Sequence, residues 1–280
     1  MTPLVSVITI ARNSVSSIEG AIESVISQSY RPLEYVVVDG ASTDGTLEVI
    51  QRYSSRINRL ISEQDNGIYD AMNKGLLASS GSHILFINSD DLFAHPDALR
   101  DLVNARLRDV EHVPTICYSD FIKHYPSLRK SMLMKADTQF ERGFALCHQA
   151  MLVDRTAYEV VGLFDTAFRY AADHDWTVRA KRTGVRFLRA YIRPPVIFRH
   201  GGASNASYRL SRDEAGTVIA REYGRIAFIK YTVRQYWVRL LRTMSSKLED
   251  IVGHRVLASI QLCYLKTVRG YRSHDKPSGQ

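Results

Sequence analysis

The sequence predicts an α/β fold: a mostly parallel sheet flanked by helices, followed by a basic helical tail. Three observations predict it. Short β-branched apolar runs alternate with segments of helical period through the first half of the chain. Acidic residues follow directly on two of those runs, where open parallel sheets place their ligands. The excess positive charge is confined to the last quarter of the chain.

The elements follow in order. Leu4–Ile10 is an apolar run suited to a strand covered on both faces. Ser16–Ser27 carries Ile18, Ala21, Ile22, Val25 and Ile26 at helical spacing. Glu34–Val38 is a second strand, Thr46–Tyr53 a helix and Arg59–Ser62 a third strand. Ile68–Ser79 reads as a helix and His83–Ile87 as a fourth strand, ending at Asn88-Ser89-Asp90-Asp91. A helix opens at His95-Pro96-Asp97 and runs to Arg108. This β-α-β-α order calls for a parallel sheet. Further on, Thr115–Ser119 is a strand, and Leu128–Thr138 is an extended segment crossing over the site. Asp154–Val161 and Asp173–Arg182 are helices; Val185–Leu188 and Val196–His200 are strands.

At 280 residues, 45% of them hydrophobic and 24% charged, the chain has the composition of a folded globular protein. The net charge is +8. From Arg221 onward there are 12 Lys/Arg against 4 Asp/Glu, while the first 220 residues hold 25 of each. A neutral body excludes bulk nucleic-acid binding as the meaning of the high pI. Three widely separated cysteines form neither a metal-type spacing nor a disulfide framework. No basic stretch precedes Leu4–Ile10, and no uninterrupted apolar run reaches the ~18–20 residues of a membrane span. The expectation is a reduced, cytoplasmic protein.

Asp39 closes the second strand and is followed by Gly40-Ala41-Ser42-Thr43-Asp44-Gly45-Thr46. Asp44 there reads as turn chemistry; Asp39 alone is equally a turn former or a ligand contact. Adjacent Asp90 and Asp91 at the end of a buried strand repel one another unless a cation or donors compensate. A hard divalent ion shared with phosphate oxygens fits such a pair. A nicotinamide-dependent oxidoreductase would need Gly-x-Gly-x-x-Gly after the first strand, and Ala11-Arg12-Asn13-Ser14-Val15-Ser16 has no glycine.

Val5-Ser6-Val7-Ile8, Val38–Thr46 and Asn88–Asp91 together resemble glycosyltransferase family 2. Asp65-Asn66-Gly67-Ile68-Tyr69-Asp70-Ala71-Met72-Asn73-Lys74-Gly75 resembles its bacterial polysaccharide-assembling branch, that of the colanic-acid transferases. Cys147-His148-Gln149-Ala150, Gly162-Leu163-Phe164-Asp165, Ala172-Asp173-His174-Asp175-Trp176 and His200-Gly201-Gly202-Ala203-Ser204 follow in the family's order, so the match covers about residues 4–205.

The resemblance implies a GT-A fold, with a catalytic domain over 1–205 and the basic tail over 206–280. Residues 1–110 would form the nucleotide-sugar half and 111–205 the acceptor half. It implies a donor pocket of Ala11, Asn13, Asp39, Asp65 and Asp90, which Tyr69 and Asp70 help to line, and a metal site at Asp91 for Mn²⁺ or Mg²⁺; Lys74 would offset phosphate charge in that donor pocket or is simply a solvated helix lysine. His200 would join that metal site or serve only as a polar strand end, and His148 and Gln149 would contact the acceptor. Asp173 would be the base of an inverting transfer, although Ala172 stands where the family has a first acid; Asp175 reads as a supporting acid. Arg12 replaces the tyrosine of many relatives. The donor is expected to be a UDP-sugar, with a GDP-sugar as the alternative, and the acceptor a glycan or polyprenyl-diphosphate-linked glycan in exopolysaccharide or O-antigen assembly.

In the tail, Ile226, Ile229, Val233, Tyr236, Trp237, Leu240 and Leu241 form a helical stripe flanked by Lys230, Arg234, Arg239 and Arg242, and 251–268 repeats the character. Such helices either pack on the catalytic domain or a second subunit, or anchor the protein peripherally on anionic lipid at the inner face of the plasma membrane. The competing non-catalytic reading is a membrane-associated scaffold on a degenerate transferase fold.

Overall fold

The computed structural model describes residues 2–143, 146–201 and 208–252. Its first half follows the alternation in the sequence. Strand β1 (Val5–Ala11) is buried along its whole length, as an apolar run covered on both faces must be. Helix α1 (Ile18–Ile26), β2 (Leu33–Asp39), α2 (Thr46–Arg52), β3 (Arg59–Ser62), α3 (Ile68–Ala78) and β4 (His83–Phe86) complete the alternating frame of the first half. After β4 come β5 (Leu92–Phe93), α4 (Ala98–Leu107), β6 (Thr115–Tyr118), β7 (Phe121–Tyr125) and β8 (Lys130–Met134). Strand β9 (Met151–Asp154) runs straight into α5 (Arg155–Val161), followed by α6 (Ala172–Arg182), β10 (Arg186–Arg189), β11 (Val196–Arg199) and α7 (Tyr208–Val252).

Seven described strands form the main sheet in the order β10-β6-β9-β4-β1-β2-β3. Strand β1 pairs in parallel with β2 on one side and β4 on the other. The strand order therefore reverses beside β1, and open sheets of this kind bind their ligands beyond the carboxyl ends of the strands at such a point, here the ends of β1, β2 and β4. The sheet is not parallel throughout: β9 lies antiparallel between β4 and β6. Its four residues join α5 without a turn, so no boundary in the sequence marks it as a strand.

Alternate β1 side chains feed two cores. Val5, Val7 and Ala11 join Ile18, Ile22 and Leu99, whereas Ile8 and Ile10 join Tyr69, Met72 and Trp176. Gly75 lets α3 lie close on the sheet, because a Cβ there would meet Ile8 Cγ2 at 2.5 Å. Trp176 is fully buried against Tyr158 and Phe164, with ring centroids at 4.5 and 5.8 Å. Its indole N–H donates to the Gly162 carbonyl. This packing fixes α6, which carries Asp173.

A second sheet, β5-β11-β7-β8, follows directly on Asp91. The extended segment expected over Leu128–Thr138 contains β8, which is paired antiparallel with β7. Helix α7 bends at Gly224, whose φ of 81° and ψ of 177° lie outside the helical region. The chain divides into two compact units, and the first extends to Phe228. Helix α7 thus contributes its opening turns to that first unit, beyond the boundary expected at residue 205. Ala215, Val218 and Ile219 are buried there, and Glu214 accepts the Arg169 and Tyr170 amides. In the second unit, Ile229, Val233, Tyr236 and Trp237 are exposed on the helix. Apart from its first two residues, the repeat over 251–268 lies outside the described residues. No described helix is long and apolar enough to cross a membrane.

Candidate active site

Ala11 and Asp39 are register partners at the ends of β1 and β2. Asp39 is fully buried. Its Oδ2 accepts from the Ser62 hydroxyl (2.9 Å) and the Ser42 amide (3.2 Å), while Oδ1 is buried without a partner. A buried, unpaired carboxylate oxygen at a sheet's ligand-binding edge is costly unless a donor arrives from outside the chain. Asn13 adopts a left-handed φ of 49° and ties the two loops together. Its amide donates to Ser42 Oγ, and its Oδ1 accepts the Thr43 amide, each at 2.9 Å.

Asp65 caps the turn into α3, accepting the Gly67 amide at 3.0 Å, and its carboxylate lies over Gly40. Arg12, largely exposed, approaches it at 3.6 Å. Asp70 accepts the Asn66 amide at 2.9 Å. Lys74 donates to the Gln64 carbonyl at 2.8 Å and pairs with Glu63 at 2.9 Å and Asp70 at 3.5 Å, so its charge is balanced locally.

The neighbouring carboxylates at the end of β4 differ sharply. Asp91 is fully buried: Oδ2 accepts Gln149 Nε2 at 2.5 Å and Oδ1 the Arg199 amide at 2.9 Å. Gln149, expected on the acceptor side, is itself 1% exposed and serves this contact. Burial, then the charge of Asp90, pushes Asp91 well above the usual carboxylate range against the pull of Arg199 and Gln149. Asp90 is half-buried, and among the described residues its carboxylate accepts no hydrogen bond from another side chain. Burial raises its pKa too, with Arg199 and His148 pulling the other way. Two crowded carboxylates that both resist ionisation make a strand end suited to a cation. No group of three or more His, Cys, Asp or Glu among the described residues could hold a metal alone. His200 follows Arg199; its amide donates to the His124 carbonyl, and its ring lies 4.7 Å from that of Tyr125.

Asp173 sits in the first turn of α6, where the helix dipole favours a negative charge. Oδ1 accepts the Tyr69 hydroxyl and the His174 amide, both at 2.9 Å, and Oδ2 lies 3.2 Å from His148 Nδ1. His148 Nε2 lies 3.3 Å from Asn88 Nδ2. A continuous chain, Asn88–His148–Asp173–Tyr69, therefore links the β4 end carrying Asp90 to α6 and α3. Burial pushes the Asp173 carboxyl up, but the bond and charge of His148, then Tyr69 and the His174 amide, outweigh it and hold it below its ordinary value. Asp175 is fully buried between Arg179 (2.8 Å) and Arg221, a supporting role as expected. Nothing in the sequence singles out Asn88 or Arg199 or connects Tyr69 with Asp173; the signal for Tyr69 is its position inside the Asp65–Gly75 motif.

Comparison with known proteins gives the family and the fold. The family model described as Glycosyl transferase family 2 matches residues 6–162. A PGL/p-HBAD biosynthesis glycosyltransferase of Mycobacterium bovis (strain BCG / Pasteur 1173P2) is 28% identical over 79% of this chain and 82% of its own length. The putative teichuronic acid biosynthesis glycosyltransferase TuaG of Bacillus subtilis (strain 168) is 40% identical over 32% of this chain and 36% of its own. Among solved structures, the mannosyltransferase PcManGT from Pyrobaculum calidifontis, in complex with GDP-Man and Mn²⁺, superposes with a TM-score of 0.63. It shares 18% identity, and the match covers 97% of this chain and 82% of that one. S. aureus TarS 1-349 in complex with UDP-GlcNAc gives a TM-score of 0.62 at 17% identity, covering 83% and 72%. These likenesses show the GT-A fold. The family model spans more than half of the sequence and the named relatives are glycosyltransferases, so this chain belongs to glycosyl transferase family 2 and is a glycosyltransferase.

Proposed function

We propose that the protein moves a sugar, with inversion, from a nucleotide-sugar donor to a glycan or lipid-linked glycan acceptor in polysaccharide assembly. A UDP-sugar is the favoured donor and a GDP-sugar the alternative. The observation that carries this reading is the chain from Asn88 through His148 to Asp173. It joins an ionised carboxylate to the strand end where the donor diphosphate belongs. The unpartnered Oδ1 of Asp39 supports a nucleoside contact, since it needs exactly one kind of partner, a donor from a ligand. The two structural neighbours, one in complex with UDP-GlcNAc and the other with GDP-Man and Mn²⁺, favour the same donor class.

We assign Mn²⁺ or Mg²⁺ to Asp90 instead of the Asp91 that the resemblance implies, because both Asp91 oxygens are engaged inward by Gln149 and the Arg199 amide. When bound, the ion supplies neutralisation of charge on the departing diphosphate. Asp173 accepts the proton of the acceptor hydroxyl as that oxygen bonds to the anomeric carbon. The bond from that carbon to the diphosphate oxygen breaks on the opposite face, and its electron pair leaves with the nucleoside diphosphate. Lys74 has no part in this assignment, its charge being met by Glu63 and Asp70.

The exposed apolar face of the second unit, with Lys230 and Arg234 beside it, supports attachment to an anionic membrane at its inner face. The function is tested by nucleoside diphosphate release from UDP-glucose, UDP-GlcNAc and GDP-mannose with Mn²⁺ and glycan acceptors. Release abolished in Asp173→Asn supports the reading. No release from the wild-type protein with any pair would favour the non-catalytic scaffold.

A further inference from the structure

We infer that Tyr69 and His148 are positioning residues which together restrict the Asp173 carboxylate to one open hydrogen-bonding position, on Oδ2, for the acceptor hydroxyl. The inference rests on the assignment of Asp173 as the base. A carboxylate offers about four acceptor positions, two on each oxygen. Both positions of Oδ1 are filled, by the Tyr69 hydroxyl and the His174 amide. One position of Oδ2 is filled by His148 Nδ1. Among the described residues nothing fills the remaining one, and there a hydroxyl can bind and release its proton.

The hydrogen-bond directions are consistent along the chain. An ionised carboxylate only accepts, so His148 Nδ1–H donates to Asp173 Oδ2, and in the tautomer with its proton there Nε2 accepts from Asn88 Nδ2. Burial, then the Asp173 charge, pushes Tyr69 well above its ordinary value, so its hydroxyl remains a donor throughout the working pH range. The groups facing Asp173 come from three elements. They are Tyr69 of α3, His174 of its own helix, and His148 with the neighbouring Cys147 thiol from the turn before β9. Glu214 of α7 adds charge near Tyr69. Phe164 packs against both the Tyr69 ring of α3 and the buried Trp176 of α6, with centroids at 5.9 and 5.8 Å, and so links the two helices beside the Tyr69 contact.

The test is a pH titration of the Asp173 carboxyl carbon by NMR in full-length protein labelled with ¹³C-aspartate, with Asp173→Asn identifying the resonance. The acid limb of UDP-GlcNAc and GDP-mannose turnover is measured alongside it. Tyr69→Phe keeps the buried ring and removes one charged hydrogen bond, so the midpoint should rise by about one pH unit. His148→Ala should raise it at least as far. In His148→Asn the amide nitrogen can occupy the place of Nδ1, and the midpoint should return most of the way; His148→Gln should not restore it. The acid limb of turnover should move with the midpoint in each variant. A midpoint unmoved in Tyr69→Phe or His148→Ala overturns the inference. Midpoints that move while the acid limb stays fixed place the fault in the assignment of Asp173 as base.

Discussion

The Asp65 carboxylate occupies the space that a side chain at position 40 would need. A Cβ on Gly40 would stand 2.0 Å from Asp65 Oδ2 and 3.0 Å from its Cγ. The backbone of Gly40 needs no left-handed conformation, so space alone demands glycine. Gly40→Ala should therefore push Asp65 off the Gly67 amide and away from Arg12. Losing a charged hydrogen bond costs about 1.5–3 kcal/mol, or a Tm drop of roughly 4–8 °C for a domain of this size. Adding Asp65→Ala removes the clash, so the double variant should lose clearly less than the sum of the two single losses. Additive losses in differential scanning fluorimetry would rule this relationship out.

Asp39→Asn separates the structural oxygen from the orphaned one. The amide can keep its oxygen toward Ser62 and the Ser42 N–H, which turns NH₂ toward the position of Oδ1. An acceptor there becomes a donor and rejects a ligand N–H or O–H. The fold should survive, while calorimetric affinity for UDP or GDP falls at least about tenfold, or 1.4 kcal/mol. Unchanged affinity for both nucleotides would remove Asp39 from the donor pocket.

The two strand-end aspartates should fail in different ways. Asp91→Ala leaves Gln149 Nε2 and the Arg199 amide without their acceptor, at about 1–3 kcal/mol for each unsatisfied group. Asp91→Asn is milder, because Gln149 can turn its amide and exchange donor for acceptor. Asp90→Ala breaks no such network and should leave Tm nearly unchanged, yet weaken Mn²⁺ binding measured by electron paramagnetic resonance in the presence of UDP. Equal Mn²⁺ binding in Asp90→Ala and the wild type would count against Asp90 as the ligand.

His174 should make the fold sensitive to acid. It is 2% exposed, and burial lowers its pKa to about 4 despite the charges of Asp173 and Asp175. A depressed folded-state value means that the folded chain resists a proton the unfolded chain takes up near 6.5. Stability is then fully present above about pH 6.5 and is lost progressively as pH falls toward 4, by up to about 3 kcal/mol. His83, lowered chiefly by burial, acts in the same direction. Urea titrations should show a shallower slope in this window for His174→Gln. An identical slope would locate the acid sensitivity elsewhere.

The sequence disclosed features that are local and left hidden those that depend on folding at a distance. Strands β1 to β4 and helices α1 to α3 were legible because each apolar run ends in its own turn residues. Strand β5 has two residues and exists only because β11 pairs with it, so no periodicity announces it. At the site, the position of Asp39, Asp90 and Asp91 at strand ends was legible. That Asp91 faces inward to Gln149 is set by chain folding back across a sequence separation of 58 residues. The contact of Tyr69 with Asp173 spans 104 residues, and no local pattern encodes it.

Helix α7 divides into a part that the catalytic unit needs and a part it does not. Before Gly224, Val218 packs with Phe140 and Val178, Arg221 meets buried Asp175, and Glu222 pairs with Arg182. Cutting the chain before Tyr208 would leave Asp175 with Arg179 alone and expose that cluster, so this form should be strongly destabilised. Cutting after Phe228 keeps every one of these contacts. That form should match the full-length protein in Tm to within a few degrees and retain nucleotide binding. If Ile229, Val233, Tyr236 and Trp237 insert at a lipid interface, the shorter form should also lose sedimentation with phosphatidylglycerol vesicles. The full-length protein should lose it as salt is raised, since lysine and arginine contacts to anionic headgroups are screened. Vesicle binding that persists after truncation at Phe228 would refute the anchor and leave the stripe to be explained by a partner helix.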